Sequence, residues 1–469
     1  MTAASPPPAP GRAGGGLGSS VAQGRFALKS TRVATPAGVR PAIVVIDGER
    51  IAAVLDPANA PADVPVEDLG DAVVFPGLVD AHVHINEPGR TEWEGFATAT
   101  RAAAAGGVTT LVDMPLNSSP VTTTLAALEE KRAAASEQLT VDVAFYAGLV
   151  PGNARELPAL LDAGVCGVKA FLCHSGLDES PAASEAELRA ALPLLAERGV
   201  PLLAHAEIVP TDHAPGAITD AASWLASRPV SMERAAIELL DRLQQQFDAP
   251  MHVVHLAAAE LLPIFAAAKA AGRRLTVETC PHYLFLAAEE IANADPRSKC
   301  APPIRMAADR DALWQGVLAG TIDTVGSDHS PCPPTMKHLA TGDWQQAWGG
   351  IMGLELILPV TWTAGAPRGL TLQRLAELLC ARPAELVGLD DRKGRLAPGA
   401  DADLCVWDPE ATWTVDQTQL QQRHKCSPYD GARVRGRVRR TYLRGQIVYD
   451  GQKAVSQPTG RTLSRKSST

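Results

Sequence analysis

The chain has 469 residues, with 43 Lys and Arg against 52 Asp and Glu, a formal charge of −9. Hydrophobic residues make up 46% and charged residues 20%, enough to bury a large core, which excludes a disordered chain, a collagen or a coiled coil. No dense basic stripe precedes the C-terminal tail, which argues against nucleic acid as a partner, and no run of 18 uninterrupted apolar residues supports a membrane span.

Residues 1–25 begin in Pro, Gly and Ser and lack the apolar core of a signal peptide, so a flexible extension is expected there. The eight cysteines form no CxxC pair and predict a reduced, cytoplasmic chain rather than a disulfide framework. Residues 26–75 read as short strands. IVVIDGERIAAVL (43–55) sets Asp47-Gly48 between two apolar runs, a hairpin signal. The same pattern returns in DADLCVWD (401–408) and RGRVRRTYLRGQIVYDG (435–451). Segments 26–75 and 395–455 are therefore expected to close one composite β-sandwich. Between them, over 76–394, apolar runs at 78–84, 108–114, 141–149, 165–172, 200–206, 251–256, 273–279 and 322–327 alternate with Ala- and Leu-rich helical stretches. Eight strands with intervening helices predict an α/β fold, a parallel (β/α)8 barrel. Residues 456–469 read as a frayed polar tail.

His82 and His84 stand two apart in GLVDAHVHI, at the end of the first barrel strand. Residues i and i+2 of a strand face the same side, so both imidazoles can point into the barrel mouth; a pair of capping histidines is the plainer alternative. His205 closes the fifth strand (PLLAHAE), His255 the sixth (MHVVHLA) and Asp328 the eighth (DTVGSDHS). Singly, each reads as a backbone-bonded imidazole or a helix cap. Together they occupy the C-terminal ends of the strands, where barrel enzymes build their sites, and their donor set suits Zn2+ or Fe2+. Lys169 ends the fourth strand in GVCGVKAFLCHSG. A lysine buried there is costly unless it is paired with an acid or chemically altered. In its neutral form it could add CO2, and the resulting carbamate could bridge two metals.

These residues resemble the cyclic-amidohydrolase group of the amidohydrolase superfamily, and within it the allantoinases, over roughly residues 40–455. The likeness rests on PGLVDAHVHINEPGRTEWEGF (76–96), MPLNSSP (114–120), GVKAFLCHSG, ETCPHYL (278–284), KCAPPIR (299–305), SDHSPCPPTMK (327–337) and KGRLAPGADADLCVWDP (393–409). The resemblance implies two divalent metals, usually zinc. His82, His84 and Asp328 would bind the first, His205 and His255 the second, and a carboxylated Lys169 would bridge them. It also implies a homotetramer. Position 86 is Asn where dihydroorotases use an arginine, which weighs against dihydroorotate, and position 174 is His where hydantoinases and dihydropyrimidinases place a tyrosine, which points away from those enzymes; the resemblance implies allantoin as substrate and allantoate as product.

Two metals sharing one water would lower its pKa toward neutrality, and the resulting hydroxide would attack the amide carbonyl. Asp328 would act first as base and then as acid. Asn86, Asn117, Ser118 and His174, with backbone groups near Cys300 and Ala301, are the candidate substrate contacts; Asn117 and Ser118 read equally well as turn residues. His252 is expected to face away from the site, His282 to support it and His329 to orient Asp328. The competing readings are another cyclic amidohydrolase and a non-catalytic barrel scaffold, whose mark would be lost metal ligands.

Overall fold

The computed structural model describes residues 24–466, except 212, 215, 293, 294 and 456. All but the last two residues of the expected N-terminal extension lie outside the described residues. Strands β1 (Phe26–Thr35), β2 (Gly38–Asp47), β3 (Arg50–Leu55), β4 (Val66–Asp68) and β5 (Val73–Pro76) pair at one end of the chain. The Asp47-Gly48 hairpin forms with Asp47 paired to Arg50 and Gly48 at φ 57°, a conformation glycine takes without steric cost.

The chain then runs through the barrel strands β6 (Leu78–Val83), β7 (Val108–Asp113), β8 (Asp142–Phe145), β9 (Ala147–Leu149), β10 (Val168–Phe171), β11 (Leu202–His205), β12 (Met251–Val253), β13 (Leu275–Thr279) and β14 (Thr324–Val325). All pair in parallel, β6-β7-β8 in one run and β9 through β14 in another. The strands β8 and β9 are halves of one expected strand, interrupted at Tyr146, whose N–H turns to the Asp113 carbonyl at 3.0 Å. The circle closes where Val83 bridges His329 and the His84 N–H donates to the His329 carbonyl at 2.8 Å. Each of the eight apolar runs read from the sequence thus supplies one stave.

Helices cover the outside. Helix Glu185–Arg198 opens on a capping box in which Ser184 and Glu187 satisfy each other's end of the turn. Helix Val230–Phe247 buries Met232, Ala236, Ile237, Leu240 and Leu243, spaced three and four apart, against the barrel. A fully buried leucine such as Leu240 contributes about 2 kcal/mol by transfer alone, so Leu240→Ala would loosen this helix. No helix among the described residues is long and apolar enough to cross a membrane.

The last strands, β15 (Leu404–Thr414), β16 (Arg433–Leu443) and β17 (Gln446–Tyr449), return to the first domain. Pairing of β15 with β5, Val406 opposite Val74, joins both chain ends in one eight-stranded sheet. The sheet curls around Leu28, Val44, Ile46, Val74, Leu404 and Val406 until its end hairpins meet: a Cβ at Gly445 would lie 2.4 Å from the Gly48 carbonyl oxygen.

The expected frayed tail is corrected by the structure over 459–466. Gly460 donates to the Leu139 carbonyl at 2.8 Å, Leu463 to Val143 at 2.8 Å and Arg465 to Gly164 at 2.9 Å. This segment seals the lower end of the barrel through its backbone, the buried side chain of Leu463 and the Arg465 guanidinium, which donates to the Leu386 and Gly199 carbonyls at 3.3 and 2.9 Å, a role that a polar composition does not reveal. Asp142 anchors it, accepting from the Arg461 N–H at 2.8 Å while paired with Lys393 at 2.7 Å and Arg444 at 2.5 Å. Breaking such a buried network by removing one partner costs about 3–5 kcal/mol.

Glu355 lies where the barrel meets the C-terminal segment, its carboxylate accepting the Gln421 N–H at 2.6 Å. Burial pushes its carboxyl from 4.5 up to about 7. A raised pKa means that the folded chain prefers the protonated acid. Its stabilisation is complete below about pH 4.5 and is lost as the pH rises toward 7. Glu355→Gln should therefore leave Tm unchanged near pH 4.5 and raise it by a few degrees near pH 8, as read by calorimetry.

Candidate metal centre

The alternation of β6 sends His82 and His84 to the same face, and both are buried. Asp328, just beyond β14, meets them: its Oδ1 lies 3.2 Å from His82 Nε2 and 3.5 Å from His84 Nε2. His205 ends β11 and His255 follows β12 by two residues, and their rings touch at 2.9 Å, Nδ1 to Nε2. The His82 and His255 ring centroids are 5.4 Å apart, so the two groups share one space. Lys169 rises between them from β10. Its Nζ is buried with no hydrogen-bond partner among the described residues, 5.1 Å from the centroid of the Phe171 ring. His255 and Asp328 adopt left-handed backbone angles, φ 42° and 45°. Such conformations cost non-glycine residues about 1–3 kcal/mol and persist where surrounding structure demands them.

The electrostatics follow from burial and crowding. Burial pushes the Lys169 ammonium down to about 8, with Asp328 and Glu278 opposing it only in part. Burial and the neighbouring His205 and Lys169 hold the His255 imidazole well below its usual range. Burial alone would raise the Asp328 carboxyl, yet His82, His84 and His255 together keep it far below the carboxylate range. The centre therefore contains one firmly ionised carboxylate, a lysine driven toward neutrality and imidazoles of opposite tendency: burial pushes His84 and His255 down, whereas, against burial, Cys173 and Glu207 raise His205 to about 9.

His82, His84 and Asp328 offer one ligand atom each within 4.8 Å of one another. Imidazole and carboxylate are the donors that Zn2+ and similar divalent ions accept, and the orphaned Lys169 Nζ is a polar group that awaits a partner. The residues fit a divalent ion: His82, His84 and Asp328 could hold one, and His205 forms a second candidate group with Cys173 and Glu207. Supporting bonds fix the rings. His82 Nδ1 meets Glu278 Oε1 at 2.6 Å, and His205 Nε2 meets Glu207 Oε2 at 2.7 Å. Glu207 is in turn paired with Arg228 at 2.5 Å. Although burial opposes it, Arg228 and His205 hold the Glu207 carboxyl down to about 2. Below the centre, the buried pair Lys131–Asp113, 2.7 Å apart, receives the Ile85 N–H at 2.8 Å and so steadies the chain just after His84.

A cavity of about 330 Å3 opens above these residues. Asn117, His174, Cys300 and Ala301 line it, as the sequence reading expects. Asn86 and Ser118 do not. Asn86 is fully buried with Nδ2 bonded to the Pro331 carbonyl at 3.2 Å. Ser118 turns its hydroxyl to the carbonyls of Pro115 and Pro120 at 3.3 and 3.2 Å, the turn role that its neighbours Asn117 and Pro120 favour. His174 stands at the rim with its side chain 63% exposed. The Cys300 carbonyl already accepts the Trp224 indole N–H at 2.8 Å.

His252 turns away to Thr276 at 2.8 Å. His282 lies beside Asp328, with neither ring nitrogen bonded among the described residues. His329 does not orient Asp328; it faces Glu94 at 3.4 Å and accepts the Gly353 and Leu354 N–H groups. Sequence reasoning missed Glu207, Glu278, Trp224, Arg228, Lys299 and the 346–350 wall. Glu207 carried a signal, since His205-Ala206-Glu207 repeats the i, i+2 spacing that singled out His82 and His84; Arg228 and the wall lie in loops without periodicity.

A barrel with its polar side chains gathered at the C-terminal strand ends, carrying a β-sandwich built from both chain termini, is the architecture of a class of hydrolytic barrels. The chain belongs to the amidohydrolase family, whose sequence profile matches residues 73–448. Among its relatives is an allantoinase of Streptomyces avermitilis, 48% identical over 94% of this chain and 98% of that protein. The allantoinase of Arabidopsis thaliana is 42% identical over 92% and 90%. Among solved structures, the L-hydantoinase (dihydropyrimidinase) of Arthrobacter aurescens superposes with a TM-score of 0.89 at 34% identity, covering 94% of this chain and 99% of that one.

Because Glu207 ties His205 to Arg228, Glu207→Gln should weaken metal retention by about 10–100-fold while the fold stays intact. Competition with a chelator, followed by elemental analysis and circular dichroism, reads both.

Proposed function

We propose that this protein is a metal-dependent hydrolase that opens the hydantoin ring of allantoin to give allantoate, working as a cytoplasmic homo-oligomer. The observation that carries the reading is the meeting of four imidazoles, Asp328 and Lys169, whose Nζ has no hydrogen-bond partner among the described residues, beneath a cavity that suits a small cyclic amide. Relatives named as allantoinases over nearly the whole chain support the choice of substrate.

Two divalent cations, with zinc the best match to these donors, would polarise an amide carbonyl and acidify a water. The Lys169 amine, brought toward neutrality by burial, is suited to add CO2: its nitrogen bonds to the carbon while its proton passes to solvent, and the resulting carbamate would join the imidazoles and Asp328 in holding the cations. Asp328, kept ionised by the histidines around it, takes the proton of the attacking water and delivers it to the departing ring nitrogen. Asn117, the His174 ring and backbone groups around Ala301 face the cavity and would orient a substrate dense in amide donors and acceptors. The absence of an unpaired arginine from position 86 suits a neutral ring.

Asp328→Asn should lose at least about 100-fold in kcat, a barrier increase of about 3 kcal/mol; turnover near that of the parent would remove Asp328 from the proton transfer. Steady-state assays on allantoin, hydantoin, dihydrouracil and dihydroorotate test the substrate, with kcat/KM highest for allantoin. Restoring divalent metal to metal-free protein should recover activity faster with added bicarbonate than without; equal recovery in CO2-depleted buffer would speak against a carbamate on Lys169.

A further inference from the structure

One wall of the cavity, residues 346–350, belongs to a segment that makes no regular secondary structure. Its backbone is held by two lysines. Lys299 Nζ donates to the carbonyls of Trp344, Gln345 and Ala347, the last at 2.7 Å. Lys337 Nζ donates to the carbonyls of Trp348, at 2.9 Å, and Gly350. Both side chains are buried, at 5% and 0% exposure, and among the described residues neither ammonium forms an ion pair. The cost of burying two neighbouring cations is met by five carbonyl oxygens of a single segment, and for Lys299 also by the Trp224 ring, 4.5 Å away.

The backbone closes the same grip. The Gly350 N–H donates to the Lys299 carbonyl at 2.8 Å and the Trp348 N–H to the Met336 carbonyl at 2.8 Å. The wall is pressed onto its surroundings: a Cβ at Gly350 would lie 2.3 Å from the Ser330 carbonyl oxygen. Lys299 also adjoins Cys300, whose carbonyl is taken by the same Trp224.

We propose that Lys299 and Lys337 are positioning residues that staple the 344–350 segment and thereby set the substrate-binding wall of the cavity. This rests on the reading of the cavity as a cyclic-amide site. Uncharged side chains of similar length would leave the five carbonyls without donors, so the peptide planes of the wall would lose their fixed orientation while the metal ligands, on other elements, stayed in place.

Lys299→Met and Lys337→Met, with Lys→Gln at each position should the Met variants prove insoluble, are compared with the parent for metal content, kcat, KM and hydrogen exchange of the 344–350 amides. The expected result is KM raised by about 10-fold or more, kcat within about three-fold and metal content unchanged. Exchange should quicken in that segment alone. Lys→Arg at either site should recover part of KM, because a guanidinium again donates to carbonyls. Unchanged KM or unchanged exchange in folded, metal-loaded variants overturns the proposal, as does a fall in kcat that tracks loss of metal. If the parent hydrolyses a different cyclic amide, the substrate reading fails and the same comparison on that amide still decides the staple; the exchange measurement decides it without turnover.

Discussion

A lysine ammonium inside a barrel, facing imidazoles and bonded to none of them, is the constraint from which the rest of this structure follows. Among the described residues Lys169 Nζ has no hydrogen-bond acceptor, and the surrounding charge comes from one ionised aspartate and Glu278. In a medium of low dielectric an uncompensated cation costs several kcal/mol. The group must therefore neutralise, react or acquire a partner, and the ring of ligand-type side chains around it makes the last two outcomes favourable together. Everything nearby serves to keep that arrangement from relaxing. The left-handed backbones of His255 and Asp328 are tolerated because parallel strands and their closing bridges leave the chain no easier route.

The two ends of the barrel divide the work. At the upper end, Glu278, Glu207 with Arg228, and Asp113 with Lys131 fix the rings and the chain that carries the candidate ligands. At the lower end, Lys393 and Arg444 gather Asp142, Asp401 and Asp403, and the C-terminal segment seals the base. Polar networks occur at both ends. The lower one is closed, with Arg392 and Arg50 also pairing with Asp401, as stability requires, whereas the upper one is left open around Lys169, as a ligand site requires. Lys299 and Lys337 extend the same logic to the cavity wall, where cations are answered by carbonyl dipoles instead of carboxylates.

Much of this was legible in the sequence because its signals are local. The apolar runs recover every barrel stave, since a strand buried on both faces must be apolar along its length. His82 and His84 are readable as a pair by the period of two, and the remaining candidate ligands by their place at strand ends. The less legible parts depend on partners distant in the chain. Nothing in SQPTGRTLSRKSST announces that Thr462 bridges Val143, because backbone pairing leaves no mark on side-chain polarity. Asn86 and Ser118 sit close in sequence to residues that face the cavity, yet tight turns direct them into the protein. Arg228 and the 344–350 segment reach the site from loops whose course is set by tertiary contacts alone.

The most direct examination of the centre is crystallographic: anomalous diffraction from the metal-loaded protein, collected on either side of the zinc absorption edge. The account predicts two peaks about 3.5–4 Å apart, one against His82, His84 and Asp328, the other against His205 and His255, with continuous density joining both to a modified Lys169. A single peak, or two peaks with an unmodified lysine turned away from them, would contradict it.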